Sequence, residues 1–250
     1  MLTSASSYKI PQLEQALKGR VGAHQRFLLA RQLEHIDYLD EAIAAVSREV
    51  AERLRPFDDD LERLDAIVVT HGHEDHLGDT VRLAKKYGAT LVAQWEICMT
   101  CAAEGVEKLQ PMNTGGCILH EGVRFCMVPA LHSSAVMRDG KAQTMGDPAG
   151  FVITLDGIAV YHAGDTALFS DMALIQRLYR PRVGFLPVGD RFTMGPEHAA
   201  IACNEFLELE LVVPIHWGTF DLLHGDPQDF AKRVTRGRVH VATPGEPFGL

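Results

Sequence analysis

The 250 residues are 46% hydrophobic and 23% charged, an ordinary globular balance that excludes collagen-like, low-complexity and wholly disordered chains. Thirty-three acidic against 24 basic residues leave a formal charge of -9, which makes nucleic acid an unlikely partner unless a local basic patch reverses the field. Uninterrupted apolar runs stop at about five residues, far short of the roughly 18 to 20 needed to cross a bilayer, so no membrane association is expected. The first twenty residues lack the basic and apolar regions of a secretory signal, and the expectation is a cytoplasmic protein. Five cysteines are an odd number in a chain too large to need covalent staples, so no disulfide framework is expected.

From residue 12 to 64 there is no strand pattern and a strong helical one. Ile36, Leu39, Ile43, Val46 and Val50 recur at alternating spacings of three and four, while Glu34, Asp37, Asp40, Arg48 and Glu52 carry the other faces. A helix over residues 23–55 would run to roughly 50 Å, too long to pack along one small domain. Residues 1–64 are therefore expected to form a helical arm or hairpin, with a homo-oligomer through its apolar seam as one outcome.

After Asp65 the pattern changes to strand, loop and helix in alternation. The β-branched run 66–70 (AIVVT) is predicted as a strand, followed by a helix over 77–87, a strand over 90–93 and a helix around 96–104. Strands are predicted at 123–129, 150–155 and 158–162, the last two joined by the hairpin dipeptide Asp156-Gly157. A helix over 168–179, a strand over 183–187, a helix over 196–207 and strands over 211–215 and 239–242 complete the reading. Such alternation argues for α/β layers.

Twelve histidines are the compositional feature that needs a cause, and His71, His73 and His76 fall within six residues of one another. The segment His71-Gly72-His73-Glu74-Asp75-His76 follows the first of these strands directly. Alternate residues of an extended segment share a side, so His71 and His73 can face one ion while Asp75 and His76 face a second. His132, Asp165 and His216 also lie just past predicted strand ends, where α/β folds gather their functional groups. Three imidazoles and a carboxylate so close together would be costly to bury unpaired, and bound dications are the natural compensation. A small-molecule substrate would then meet a hydroxide held between two divalent ions, with Asp75 orienting it. Zinc suits the histidine-rich donor set best, with manganese, iron and nickel as alternatives. His162 is a candidate supporting donor beside Asp165, or a packed strand residue. Thr193, His198 and His224 are substrate-side candidates, for which an ordinary surface position is the alternative. Cys98 and Cys101 form a single CxxC with no second pair at zinc-ribbon spacing, and packing on a half-buried helix explains them best.

THGHEDHLGD, the HSS at 132–134, YHAGDT and PIHWGTF together resemble the metallo-β-lactamase superfamily of binuclear metal-dependent hydrolases. PMNTGG, PAGF, LFSDM and FTMGPEHAA are similar to its UPF0173 subgroup, akin to the ascorbate-phosphate lactonase group. The resemblance runs from about residue 64 to 250 and implies an α/β fold of αββα layers over 65–250. It also implies His71, His73 and His132 at one metal, Asp75, His76 and His216 at the other, and Asp165 bridging them. An aspartate where many antibiotic-degrading members carry cysteine points away from a dedicated β-lactamase. The implied reaction is hydrolysis of an ester, lactone, thioester or phosphodiester.

The chain departs from this pattern at its beginning. Members of the subgroup open with two or three strands carrying a Gly-His-Ser segment and later an Asp-Pro turn, none of which precedes Asp65. Residues 22–67 instead resemble the helical linker of DEDD-type insertion-sequence transposases. The expected αββα sandwich is thus incomplete at its N-terminal strands, and the alternative to a working hydrolase is a catalytically impaired fusion relic.

Overall fold

The computed structural model describes residues 64–249 apart from Asp139, together with Gly22 and a scatter of positions between His24 and Glu41. The chain divides into two compact units, Met1–Glu62 and Arg63–Leu250. In the first, the described residues from His24 to Glu41 are helical and exposed, and Ile36 of the predicted seam is among them. Leu39, Ile43, Val46 and Val50 lie outside the described residues.

The second unit begins with β1 (Ala66–Val69), whose exit carries the histidine-rich loop into a single helical turn, α1 (Glu74–Leu77), and then α2 (Thr80–Tyr87). The predicted helix over 77–87 is thus two pieces, separated at Gly78, whose φ of 39° lies outside helical space. β2 (Thr90–Gln94), α3 (Trp95–Ala103) and β3 (Leu109–Met112) follow, and β1, β2 and β3 pair in that order as a parallel sheet. Among the described residues β1 pairs only with β2.

The larger sheet has seven strands. It opens with the hairpin β4 (Cys117–His120) and β5 (Val123–Pro129), then takes β8 (Ala149–Leu155) and β9 (Ile158–His162) after the small hairpin β6 (Ala135–Arg138) and β7 (Lys141–Thr144). Helix α4 (Met172–Tyr179) leads to β10 (Val183–Pro187). Helix α5 (Pro196–Ile201), continued by a π-helical turn at Ala202–Phe206, leads to β11 (Leu211–Ile215). Helix α6 (Pro227–Arg233) precedes the short β12 (Arg238–Val239). The strand order is β12-β11-β10-β9-β8-β5-β4, parallel from β12 to β9 and antiparallel beyond.

Period-two alternation sorts these strands into layers. In β2, Leu91 and Ala93 pack with Ile97, Cys98 and Cys101 of α3, while Val92 turns the other way to meet Met127 and Phe151 of the large sheet. In β5 and β8, Phe125, Met127 and Phe151 face the small sheet, while Cys126, Val128 and Val152 join Tyr161, Met172, Ile175 and Phe230 beneath the outer helices. The result is helix, sheet, sheet, helix, the αββα layering expected from the sequence.

Two further expectations change. Cys117 and Cys126 face each other across β4 and β5 and form a disulfide, while Cys98, Cys101 and Cys203 are free and buried. One cross-strand bridge is not a framework, but strand register brings this pair together where cysteine count alone argued for none. The second change concerns helix starts: α4 begins at Met172 and not at 168, because Leu168–Ser170 is spent on a turn closed by Met172 N–H to the Phe169 carbonyl. No helix among the described residues is long and apolar enough to cross a membrane.

Candidate metal centre

Four segments converge at the C-terminal ends of strands from both sheets. The first is the loop after β1. Gly72 is required there by close approach: a β-carbon at this position would stand 2.4 Å from Cβ of Met145. Its N–H donates to Ser134 Oγ at 3.0 Å, and Ser134 donates to the Met145 carbonyl at 3.3 Å, so the histidine loop is tied to the segment that carries His132. The third segment, after β9, turns at Gly164 (φ 62°), where a β-carbon would meet the Ala149 carbonyl at 2.8 Å. Its Thr166 is fully buried and accepts the Leu131 N–H at 3.0 Å, while the Leu131 carbonyl accepts the Ala167 N–H at 3.0 Å. The fourth, after β11, places His216 in a left-handed conformation (φ 56°), unfavourable for a residue with a side chain and typical of functional positions.

The seven predicted ligands meet at these ends. His71 Nε2 is 2.9 Å from His73 Nδ1, which is 3.2 Å from His132 Nε2. On the far side, His76 Nε2 is 3.5 Å and His216 Nε2 is 3.7 Å from the same oxygen of Asp75, Oδ2. Asp165 lies between the two triads, its Oδ2 3.0 Å from His216 Nε2, 3.6 Å from His132 Nε2 and 4.0 Å from His71 Nε2. Three overlapping sets of donor atoms are close enough to hold an ion: His71, His73 and His132; His71, His76 and Asp165; and Asp75, His76 and His216.

Electrostatics shows what such a cluster lacks. Burial, then the neighbouring His76, pushes His71 down to about 3, and burial also lowers His132, so these rings are neutral and present lone pairs. Burial alone would raise Asp165, but the His216 and His76 imidazoles outweigh it and hold the carboxyl well below the usual carboxylate range. His216 is the exception: burial lowers it, and Asp165 more than restores the loss. His76 Nε2 and Asp165 Oδ1 stand 3.3 Å apart without hydrogen-bond geometry, so both buried atoms are left without such a partner. Unpaired buried polar atoms aimed at one point are costly, and a cation among them removes the cost. A donor set of imidazole nitrogens and carboxylate oxygens fits a divalent metal.

The outward nitrogens are also fixed. His71 Nδ1 is 3.1 Å from Thr70 Oγ1, and His73 Nε2 is 3.2 Å from Ser133 Oγ, leaving Nε2 of the first and Nδ1 of the second for the centre. His162 Nδ1 accepts the Gly164 N–H at 3.1 Å and its ring stacks on Phe185, so it braces the Asp165 turn. A cleft of about 580 Å³ opens over the cluster, lined by His73, Asp75, His132, Asp165 and His216 with Glu74, Ser133, Phe192, Phe220, Leu222 and Leu223. Thr193, His198 and His224 are not in that lining. Cys98 and Cys101 are buried on the face of α3 that packs on β2, and burial raises their thiols to about 12 and about 11. Sequence reasoning missed Thr70, Ser134 and Thr166; each stands next to a ligand or within two residues of one, the only signal that could have found them.

A profile described as the β-lactamase superfamily domain matches residues 39–217. Of curated proteins, a UPF0173 metal-dependent hydrolase of Methanopyrus kandleri is 46% identical over 188 residues, 74% of this chain and 81% of the relative. Another, of Methanoculleus marisnigri, is 50% identical over 185 residues, 73% of this chain and 80% of the relative. Among solved structures, Igni18, a metallo hydrolase from Ignicoccus hospitalis, superposes with a TM-score of 0.66 at 38% identity, covering 73% of this chain and 77% of its own. The fold, the clustered ligand set and these similarities agree: the chain belongs to the β-lactamase superfamily, among the UPF0173 metal-dependent hydrolases.

Proposed function

We propose that the seven side chains hold two divalent cations, zinc by preference, and that the centre hydrolyses an ester, lactone, thioester or phosphodiester. The observation that carries this reading is the position of Asp165 Oδ2, within 4.0 Å of donors from both triads, as a bridging carboxylate requires. Two such ions, when bound, supply a hydroxide at neutral pH and an electrophilic partner for the oxygen of the scissile group.

The protein's own groups do the rest. His71, His73 and His132 form one wall, and Asp75, His76 and His216 the other. Asp75 is the most exposed ligand and lines the cleft, where its carboxylate can orient the attacking water and accept its proton. His162 is a positioning residue, holding the Gly164 turn so that Asp165 stays aimed inward. The convergence of all seven ligands disfavours the impaired relic, because a disused centre has no reason to keep five imidazoles and two carboxylates facing one another.

Elemental analysis of protein purified from metal-supplemented medium, combined with a hydrolysis screen over lactones, thioesters, esters and phosphodiesters, tests the proposal. The expected result is about two metal equivalents per chain and a chelator-sensitive activity in one of these classes. A metal content near zero would overturn it.

A further inference from the structure

The cleft over the centre has a wall that hydrolysis alone does not explain. Phe192, Phe220 and Leu222 are 51%, 53% and 45% exposed, and all three line the same opening with the buried Leu223. Single exposed apolar side chains are ordinary, but three large ones converging on a reactive cluster are a binding feature. Their placement is built. Phe192 sits on a turn in which Asp190 and Arg191 both adopt positive φ, 64° and 39°, a conformation that disfavours residues with side chains. Asp190 N–H to the Met194 carbonyl (3.0 Å) closes the turn, and Met194 N–H to the Thr166 carbonyl (2.9 Å) anchors it beside Asp165. The segment carrying Phe220 and Leu222 is joined to the same region by Gly225 N–H to the Gly189 carbonyl at 3.2 Å.

The polar part of the lining is equally selective. Beyond the ligands it holds Glu74 and Ser133, and among the described residues no lysine or arginine lines it. The Arg191 guanidinium lies over the Phe192 ring, 5.6 Å from its centroid and outside the lining; recognition of phosphate or carboxylate substituents relies on such cations in direct contact, which the lining residues do not supply.

Resting on the hydrolase reading above, we propose that Phe192, Phe220 and Leu222 form the acyl-binding wall of the site. The substrate is then a carboxylic ester, lactone or thioester whose acyl part is an uncharged alkyl chain or aryl ring, as opposed to a polyanionic compound. Hydrolysis adds water across the acyl bond, the hydroxyl going to the carbonyl carbon and the proton to the leaving oxygen or sulfur.

Two measurements on the zinc-loaded full chain test this. The first is kcat/KM for p-nitrophenyl acetate, butanoate, hexanoate and octanoate. The second is the affinity of acetohydroxamate, hexanohydroxamate and octanohydroxamate by calorimetry, which needs no turnover. Burial of a methylene strengthens binding about fourfold when complete, and an open wall should give at least about twofold per methylene in both series. In Phe220→Ser and Leu222→Ser, exposed positions that should fold, that slope should flatten. Ester hydrolysis without chain-length dependence, or an unaltered slope in both variants, would overturn the acyl wall and leave the hydrolase reading standing. If no ester is cleaved, the hydroxamates decide the wall by themselves: affinity that climbs with chain length supports it, and a flat series refutes it.

Discussion

Asp165 Oδ2 stands 3.0 Å from Nε2 of His216, and the two residues come from the turns beyond β9 and β11, the strands on either side of β10. Neutralising the carboxylate removes the one charge that reaches both triads. Asp165→Asn should lower the metal content of replete protein by at least one equivalent, measured by elemental analysis. Retention of the wild-type content would show that the triads hold their ions without a bridge.

Thr166 offers a test of support as opposed to ligation. Its hydroxyl accepts the Leu131 N–H one residue before His132, and its carbonyl accepts Met194 N–H. Thr166→Val keeps the shape and leaves the Leu131 donor unpaired. Losses of about 10- to 100-fold in metal affinity are usual when a residue orienting a ligand is removed. Competition with a chromogenic chelator measures this, and an unchanged affinity would place the ligands' order elsewhere.

Acid should destabilise the metal-free protein in a defined window. Burial, then His76, pushes His162 down to about 4, so between its ordinary 6.5 and that value the unfolded chain binds a proton that the folded one refuses. Stability from this group is fully present above about pH 6.5 and is lost as the pH falls toward 4. Melting of the chelated protein should drop by about 3 °C or more between pH 7 and 5 on this account. His162→Asn keeps an acceptor for the Gly164 N–H but does not titrate, and should show a smaller drop over the same range.

The cysteines divide by role. Thiol titration of the denatured, unreduced chain should find three free groups, Cys98, Cys101 and Cys203, and five after reduction. Cys98→Ala with Cys101→Ala should lower the melting temperature, because both side chains are buried in the layer beneath α3, while leaving metal content unchanged. Loss of a metal equivalent in that double variant would make the CxxC a ligand pair and overturn its reading as packing.

Legibility followed the range of the forces involved. The strands at 123–129, 158–162, 183–187 and 211–215 have the predicted bounds, because their buried β-branched and aromatic runs carry the signal locally. β3, with Pro111 inside it, and the hairpin of β6 and β7, with Lys141–Thr144 wholly exposed, were invisible because partners distant in sequence create them. The ligands were legible because only a cation makes sense of His71, His73, Asp75 and His76 together. The cleft wall was not. Phe192 looks like any apolar residue until the positive φ of Asp190 and Arg191 is known, and polarity drew attention to Thr193, His198 and His224 instead.

The ligands arrive from strand ends in both sheets, the first after β1 and the last after β11, and this has a consequence for biosynthesis. A chain emerging from the ribosome can offer His71, His73, Asp75 and His76 early, yet the second triad stays open until His216 has been made and its strand has docked beside β10. Early capture of an ion would be loose and exchangeable, and retention would begin only when both sheets have stacked. Tightly held metal in a preparation is accordingly a count of molecules that have finished folding.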